Sequence, residues 1–272
     1  MWQYNTVIKP KNQLLRFLMP NRQTRVDFSC ILFQAVHHTQ YKLKARIMKG
    51  MTLQNTSRNG RAMELYLFRH GEAESQEKEA KLSKVGRLQA EETAILLLIE
   101  INVQGGGLLK MIHSPTPRAK ETFDIMLRTI EANMGHQLRV LHPRIATALE
   151  AGGVIGPLLK RGIPYEETVE YWLCNPHTVD GKSPDIIGKK SEKIIRRLKR
   201  TADRLPAGVK IFYVGVTHEI PQAGLLYRVT GKKLSELGGG IKNCESIRVN
   251  LGTGSEAPPC LYFRGFQVDL AV

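Results

Sequence analysis

Two histidines in this sequence follow directly on apolar runs. His70 comes after Leu65-Tyr66-Leu67-Phe68 and Arg69, and His218 comes after the run Val209 to Val216 and Thr217. A neutral imidazole can attack an electrophile, and its second nitrogen can hold or donate a proton. Two arginines stand with them. Arg69 precedes His70, and Arg118 follows Ser114-Pro115-Thr116-Pro117 at a predicted helix start. A guanidinium fork matches a tetrahedral oxyanion, and the positive end of a helix adds to it. Each piece alone is ordinary: a lone histidine is usually packing, an Arg-His-Gly triplet is a weak signal, and a helix-start arginine is usually solvated. What selects them is their shared position at the ends of predicted strands. The set Arg69, His70, Arg118 and His218 makes a cationic pocket without a nearby obligatory acid, which suits a phosphoryl group.

The flanking pattern says how such a pocket is positioned. Leu65–Phe68 reads as a buried strand, and Ser83 can cap a helix to about Ile101 with Val85, Leu88, Ala94, Leu97 and Leu98 apolar. After Gly105-Gly106-Gly107, Leu108 to His113 is a second strand. Pro117 and Gly135 bracket a helix that aligns Ala119, Phe123, Met126 and Ile130. Gln137 to Leu141 is a third strand. Residues 145–182 read as irregular, a lid insertion. Ser183-Pro184 opens a helix to about Leu205, Val209 to Val216 is a fourth strand, and Pro221 to Val229 is a short helix ending at Gly231. Ser246 to Leu251 and Cys260 to Leu270 complete the strands. This alternation predicts an α/β domain whose largely parallel sheet is covered on both faces. In such sheets ligands bind beyond the carboxyl ends of the strands, so centrally placed first and fourth strands would aim both histidines into one crevice.

Composition narrows the class. The 272 residues are 42% hydrophobic and 24% charged, as in an ordinary globular chain. The net charge of +15 is uneven: residues 1–62 hold 11 Lys/Arg and one acid, Asp27. Three readings of that basic segment are open: a flexible or over-long extension (Met51 and Met63 are later candidate starts), an organellar targeting peptide, or a nucleic-acid or membrane-surface arm. The helix Lys189 to Arg200 is also rich in Lys and Arg, but Ile194, Ile195 and Leu198 give it a core side, so its cations read as a solvated face and no specific nucleic-acid binding is expected. Cys30, Cys174, Cys244 and Cys260 form no C-x-x-C pair and no zinc spacing, so free thiols in a reducing, cytoplasmic compartment are expected. No apolar run approaches 18 residues, so no membrane span is expected.

The motifs in order resemble the histidine phosphatase superfamily, in its phosphoglycerate-mutase-like branch. The resemblance is carried by Leu65-Tyr66-Leu67-Phe68-Arg69-His70-Gly71-Glu72, by Leu82-Ser83-Lys84-Val85-Gly86-Arg87-Leu88-Gln89-Ala90, by Ser114-Pro115-Thr116-Pro117-Arg118-Ala119-Lys120-Glu121-Thr122, by Ala148-Leu149-Glu150 and by Val216-Thr217-His218. These blocks span about residues 64–230, so the resemblance assigns residues 63–272 to the domain and leaves 1–62 outside it. It implies a three-layer α/β/α sandwich with a mixed, mainly parallel sheet. His70 would be the nucleophile and form a phosphohistidine, with Gly71 giving backbone room. Arg69, Arg118 and His218 would bind the phosphate oxygens, and Glu150 would be the proton donor. No metal or cofactor is implied.

Departures from the pattern leave alternatives open. The second histidine is usually followed by glycine and here by Glu219, which makes Glu219 an alternative acid, as in the acid phosphatase branch. Glu72-Ala73-Glu74-Ser75-Gln76 lacks the Trp and Asn that mutases usually carry, which favours a phosphatase acting on a small phosphorylated molecule or a phosphoprotein. A phosphoglycerate-mutase-type transfer and a non-catalytic phosphate-binding module are the other readings. Substrate and oligomeric state are not written in the sequence. Arg144, Lys160, Arg161, Tyr165 and Tyr171 are candidates to meet an anionic leaving group.

Overall fold

The computed structural model describes residues 62–271, apart from 76, 78, 151–152, 180–181 and 253–257. The extension expected over 1–62 lies outside the described residues up to position 61.

Seven strands form one sheet in the order β3-β2-β4-β1-β5-β6-β7. The strands are β1 (Ala62–Arg69), β2 (Gly107–His113), β3 (Leu138–Ile145), β4 (Lys210–Thr217), β5 (Ser246–Asn250), β6 (Cys260–Phe263) and β7 (Phe266–Asp269). β3, β2, β4 and β1 run parallel, while β5, β6 and β7 pair antiparallel. The helices are α1 (Lys84–Val103), α2 (Pro117–Asn133), α3 (Ile155–Leu159), α4 (Thr168–Cys174), α5 (Pro184–Ala202) and α6 (Glu219–Thr230). This is the mixed, mainly parallel α/β architecture expected from the sequence.

Strand pleating sorts the two cores. Met63, Leu65 and Leu67 of β1 face a core shared with Ile187, Ile195 and Leu198 of α5 and Leu225 and Leu226 of α6. Tyr66 and Phe68 of β1, with Phe212, Val214 and Val216 of β4, face Ala94, Leu97 and Leu98 of α1 and Phe123, Met126 and Ile130 of α2. Both faces of the parallel strands are thus apolar, which is why β4 reads as an unbroken hydrophobic run.

Local chemistry sets the boundaries. The Ser83 hydroxyl accepts the Gly86 N–H at the start of α1, and Ser183 caps α5 ahead of Pro184. Gly231 closes α6 in the left-handed conformation, with φ of 67°. α5 and α6 cross at Gly188 and Gly224, where a methyl on Gly188 would overlap the Gly224 carbonyl. Buried Glu192 of α5 binds Arg196 and, across the crossing, Arg228 of α6.

Several expectations are corrected. Val85 and Leu88, taken as apolar face of α1, are 50% and 58% exposed. At 100° per residue Val85 lies half a turn round from buried Ala94, so residue type misled where helical angle decides. The run Cys260 to Leu270, read as one strand, is a hairpin: Arg264 and Gly265 both take positive φ (46° and 83°), the two-residue turn that matches strand twist. β3 continues to Ile145, and α6 begins at Glu219 because Pro221 sits in its first turn, where no N–H is needed. The segment 145–182, read as irregular, carries α3 and α4 and contributes Leu149, Leu158, Val169 and fully buried Trp172 to the core.

Candidate active site

The adjacent carboxyl ends of β1 and β4 place the two histidines side by side. Arg69 pairs with Thr217 in register, and the His70 N–H donates to the Thr217 carbonyl at 3.0 Å. The rings of His70 and His218 then meet edge to face, with centroids 5.1 Å apart. Both residues are buried, at 8% and 3% exposure.

His70 has a defined tautomer. Its Nδ1 lies 2.7 Å from the Gly71 carbonyl, which can only accept, so Nδ1 carries the proton and Nε2 keeps its lone pair. Burial, then His218 and Arg118, hold its pKa well below the ordinary histidine value, so the ring is neutral. Gly71 is pressed against α1: a Cβ there would come within 2.5 Å of the Gly86 carbonyl oxygen, and one on Gly86 would overlap Glu72. The Thr122 hydroxyl accepts the Gly71 N–H at 3.0 Å and donates to the Arg118 carbonyl at 2.8 Å, tying α2 to this turn.

His218 is oriented by hydroxyls from the neighbouring strand end. Its Nε2 lies 2.9 Å from Ser114 Oγ and 3.1 Å from Thr116 Oγ1. Thr116 is the N-cap residue of α2 yet makes no cap hydrogen bond, because its hydroxyl is on His218. When a hydroxyl donates to Nε2, the ring proton resides on Nδ1, which is buried without a partner. Burial, then Arg118 and Arg69, push the His218 pKa down to about 3. His113, at the end of β2, is also buried, its Nδ1–H on the Ser114 carbonyl at 2.7 Å.

Both arginines are tethered at one end. Arg69 Nη1 meets Glu219 Oε2 at 2.8 Å and also donates to the Ile241 carbonyl. Arg118 Nη1 donates to the Glu77 carbonyl at 3.1 Å, and its pKa is lowered by burial, with Tyr165 opposing. The Nε atoms of both are buried and unpartnered. Among the described residues five buried side-chain polar atoms have no hydrogen-bond partner, and three are Arg69 Nε, Arg118 Nε and His218 Nδ1. An unmet buried donor costs about 1–3 kcal/mol. Three such groups in one predicted site suit an oxyanion, whose oxygens accept hydrogen bonds.

The two candidate acids differ in surroundings. Glu150 is exposed, just after the turn Thr147–Leu149, whose last carbonyl accepts the Thr217 hydroxyl at 2.7 Å. That bond ties Leu149, the residue before Glu150, to Thr217 at the end of β4. Glu219 is largely buried, and its Oε1 accepts the Ile241 N–H at 3.0 Å. Burial raises its pKa, with Arg69 opposing.

Sequence reading assigned no role to Ser114, Thr116 or Thr122, although all three stand in the Ser114–Thr122 block. Hydroxyls at that spacing from Arg118 were the available signal. The loop residue Ile241 carried no signal, because it acts through its backbone. Among the described residues no group of three or more His, Cys, Asp or Glu could hold a metal ion, and no helix is long and apolar enough to cross a membrane.

No family profile and no curated protein sequence matches the chain. Solved structures do. The chain is similar to a structure described as mycobacterial hydrolase 2, at 17% identity and a TM-score of 0.51, covering 78% of this chain and 94% of that one. It is also similar to a mycobacterial glucosyl-3-phosphoglycerate phosphatase (18% identity, TM-score 0.48, 68% of this chain and 90% of that one). A phosphoglycerate mutase from Bacillus anthracis shows 14% identity and a TM-score of 0.48 over 79% of this chain and 94% of its own. At these identities the likeness is one of fold alone.

Proposed function

We propose that the chain is a phosphatase that hydrolyses a phosphate monoester, of a small molecule or a protein, through a phosphohistidine on His70. The observation that carries this reading is a set of three buried, unpartnered nitrogens, Arg69 Nε, Arg118 Nε and His218 Nδ1, on the residues whose charges bear on His70, a neutral histidine with its proton on Nδ1. Every group involved lies within residues 63–272, which this reading takes as the catalytic domain. Three free cysteines among the described residues suit a reducing, cytoplasmic setting.

In this mechanism His70 Nε2 attacks phosphorus in line with the ester oxygen. The N–P bond forms, the P–O bond breaks, and positive charge on the ring is stabilised through Nδ1–H on Gly71. The three donors take the equatorial oxygens, where charge is greatest in the transition state. Glu150 gives its proton to the departing alkoxide, then as carboxylate takes one from water. The resulting hydroxide attacks phosphorus, the N–P bond breaks, and His70 returns neutral with inorganic phosphate released.

Brief mixing with phosphorus-labelled substrate should trap an acid-labile, base-stable phosphoenzyme. His70→Ala should trap none; label retained at the wild-type level would overturn the assignment. Release of inorganic phosphate rather than isomerised product separates this reading from a mutase.

A further inference from the structure

We propose that Glu219 is a positioning residue, a fixed counter-ion of Arg69 that limits how tightly the site holds the phosphate it releases. This inference rests on the phosphatase reading above. Its origin is the way one loop grips both partners. The backbone of Arg69 is clasped by residues 244–245: its N–H donates to the Glu245 carbonyl at 3.0 Å and its carbonyl accepts the Cys244 N–H at 3.1 Å. Its Nη1 donates to the Ile241 carbonyl, while the Ile241 N–H donates to Glu219 Oε1 at 3.0 Å. Arginine and carboxylate are therefore braced against the backbone of one residue, Ile241, and against each other, at 2.8 Å.

The brace is itself locked. Arg264, in the positive-φ turn between β6 and β7, donates to the carbonyls of Leu237, Gly239 and Gly240 and binds both carboxylate oxygens of Glu245 at 2.6 Å. Gly240 lets the loop close in, since a Cβ there would stand 3.1 Å from Glu219 Oε1. Glu219 is thus not free to swing toward a leaving group.

Both oxygens of Glu219 face donors, the Arg69 guanidinium and the Ile241 N–H. That is an acceptor's environment: the two donors favour the carboxylate against the burial that raises its pKa, and they give a proton no partner. A general acid needs the opposite. The carboxylate instead occupies one end of the guanidinium and leaves the buried Nε–H unpartnered. An anion reaching Nε meets an arginine whose charge is already half answered. A carboxylate on the same guanidinium repels a bound phosphate, and unit charges roughly 7 Å apart at the effective dielectric of a partly buried site weaken binding by roughly ten- to a hundredfold.

The test is titration calorimetry of inorganic phosphate into wild type, Glu219→Gln and Glu219→Asp, with turnover measured on p-nitrophenyl phosphate and on an alkyl phosphate. Glu219→Gln should bind phosphate roughly ten- to a hundredfold tighter, with product inhibition strengthened in step. Glu219→Asp, which keeps the charge, should stay near wild type. Any fall in kcat should be equal for both esters, because product release is indifferent to the leaving group. Unchanged or weaker phosphate binding by Glu219→Gln overturns the proposal, as does tighter binding by Glu219→Asp. A loss confined to the alkyl ester would make Glu219 the proton donor instead. If the amide variant does not fold, Glu219→Gly carries the same expectation. Wild type that binds no phosphate at millimolar concentration would remove the phosphatase reading itself, whereas wild type that binds while Glu219→Gln fails to tighten removes only this inference.

Discussion

Acidification should weaken the unliganded protein through its site histidines, and His218→Gln isolates the effect. The variant keeps a polar side chain of similar size and removes the titration. The His218 ring is pushed from 6.5 down to about 3, first by burial and then by Arg118 and Arg69. With the folded pKa below the unfolded one, the unfolded chain binds the extra proton. The neutral ring's contribution is therefore complete above about pH 6.5 and is lost as the pH falls toward 3. Each pH unit in that window is worth about 1.4 kcal/mol, so the step from pH 6.5 to about pH 5 removes on the order of 2 kcal/mol. His70 acts with the same sign. Glu100 and Glu219, whose pKa values are raised by burial, act with the opposite sign and gain stability as the pH falls. Subtracting the variant's curve from that of wild type cancels both. Urea unfolding followed by circular dichroism across this range supplies the two curves. The stability difference, wild type minus variant, should shrink by about 1.4 kcal/mol per unit of acidification. Saturating inorganic phosphate should flatten that slope, because an anion on Nδ1 favours the charged ring. Parallel curves for the two proteins, without phosphate, would refute the electrostatic account of the site.

Two further predictions concern other parts of the site. Glu150→Gln should slow alkyl phosphates by roughly 10²–10⁴-fold while scarcely affecting p-nitrophenyl phosphate, whose leaving group needs no proton; equal losses on both in steady-state assays would remove Glu150 from the donor role. Gly86→Ala should cost about 1–3 kcal/mol, because its methyl overlaps the Glu72 backbone and can be relieved only by moving the turn after His70. Thermal denaturation with parallel activity assays should show both stability and kcat/KM falling, and a variant matching wild type in both would show that the contact is not tight.

Much of the frame was legible because it depends on local pattern. The apolar runs ending at Arg69 and Thr217 have few alternatives to buried parallel strands, and Ser83 and Ser183 announce their helices by cap chemistry. The four cationic and histidine candidates could be grouped because each ends a strand or begins a helix. What was hidden depends on strand order, which no local pattern encodes. The Ser114 and Thr116 hydroxyls reach His218 only because β2 lies beside β4, more than a hundred residues along the chain. The Arg69 counter-ion required knowing that α6 begins beside the loop preceding β5. Arg264 was read as part of a strand, so its role in the hairpin turn, and through it in bracing Ile241, could not be seen. Apolar composition alone also misplaced Val85 and Leu88, where the angle around the helix decides which side is wet.

The order of the sheet also has a consequence for biosynthesis. β1, which carries Arg69 and leads into His70, is the first of the described strands to be made, but its neighbours β4 and β5 come about 150 and 180 residues later. Until then both edges of this apolar strand lack their partners, and closing loops of that length is slow relative to helix formation. A growing chain can assemble α1, α2 and the β2–β3 pair while the strand that leads to His70 waits as an unpaired, sticky segment. The pocket is therefore among the last parts of the domain to exist, and the window in which the chain is open to misassembly is set by the length between Arg69 and Ser246.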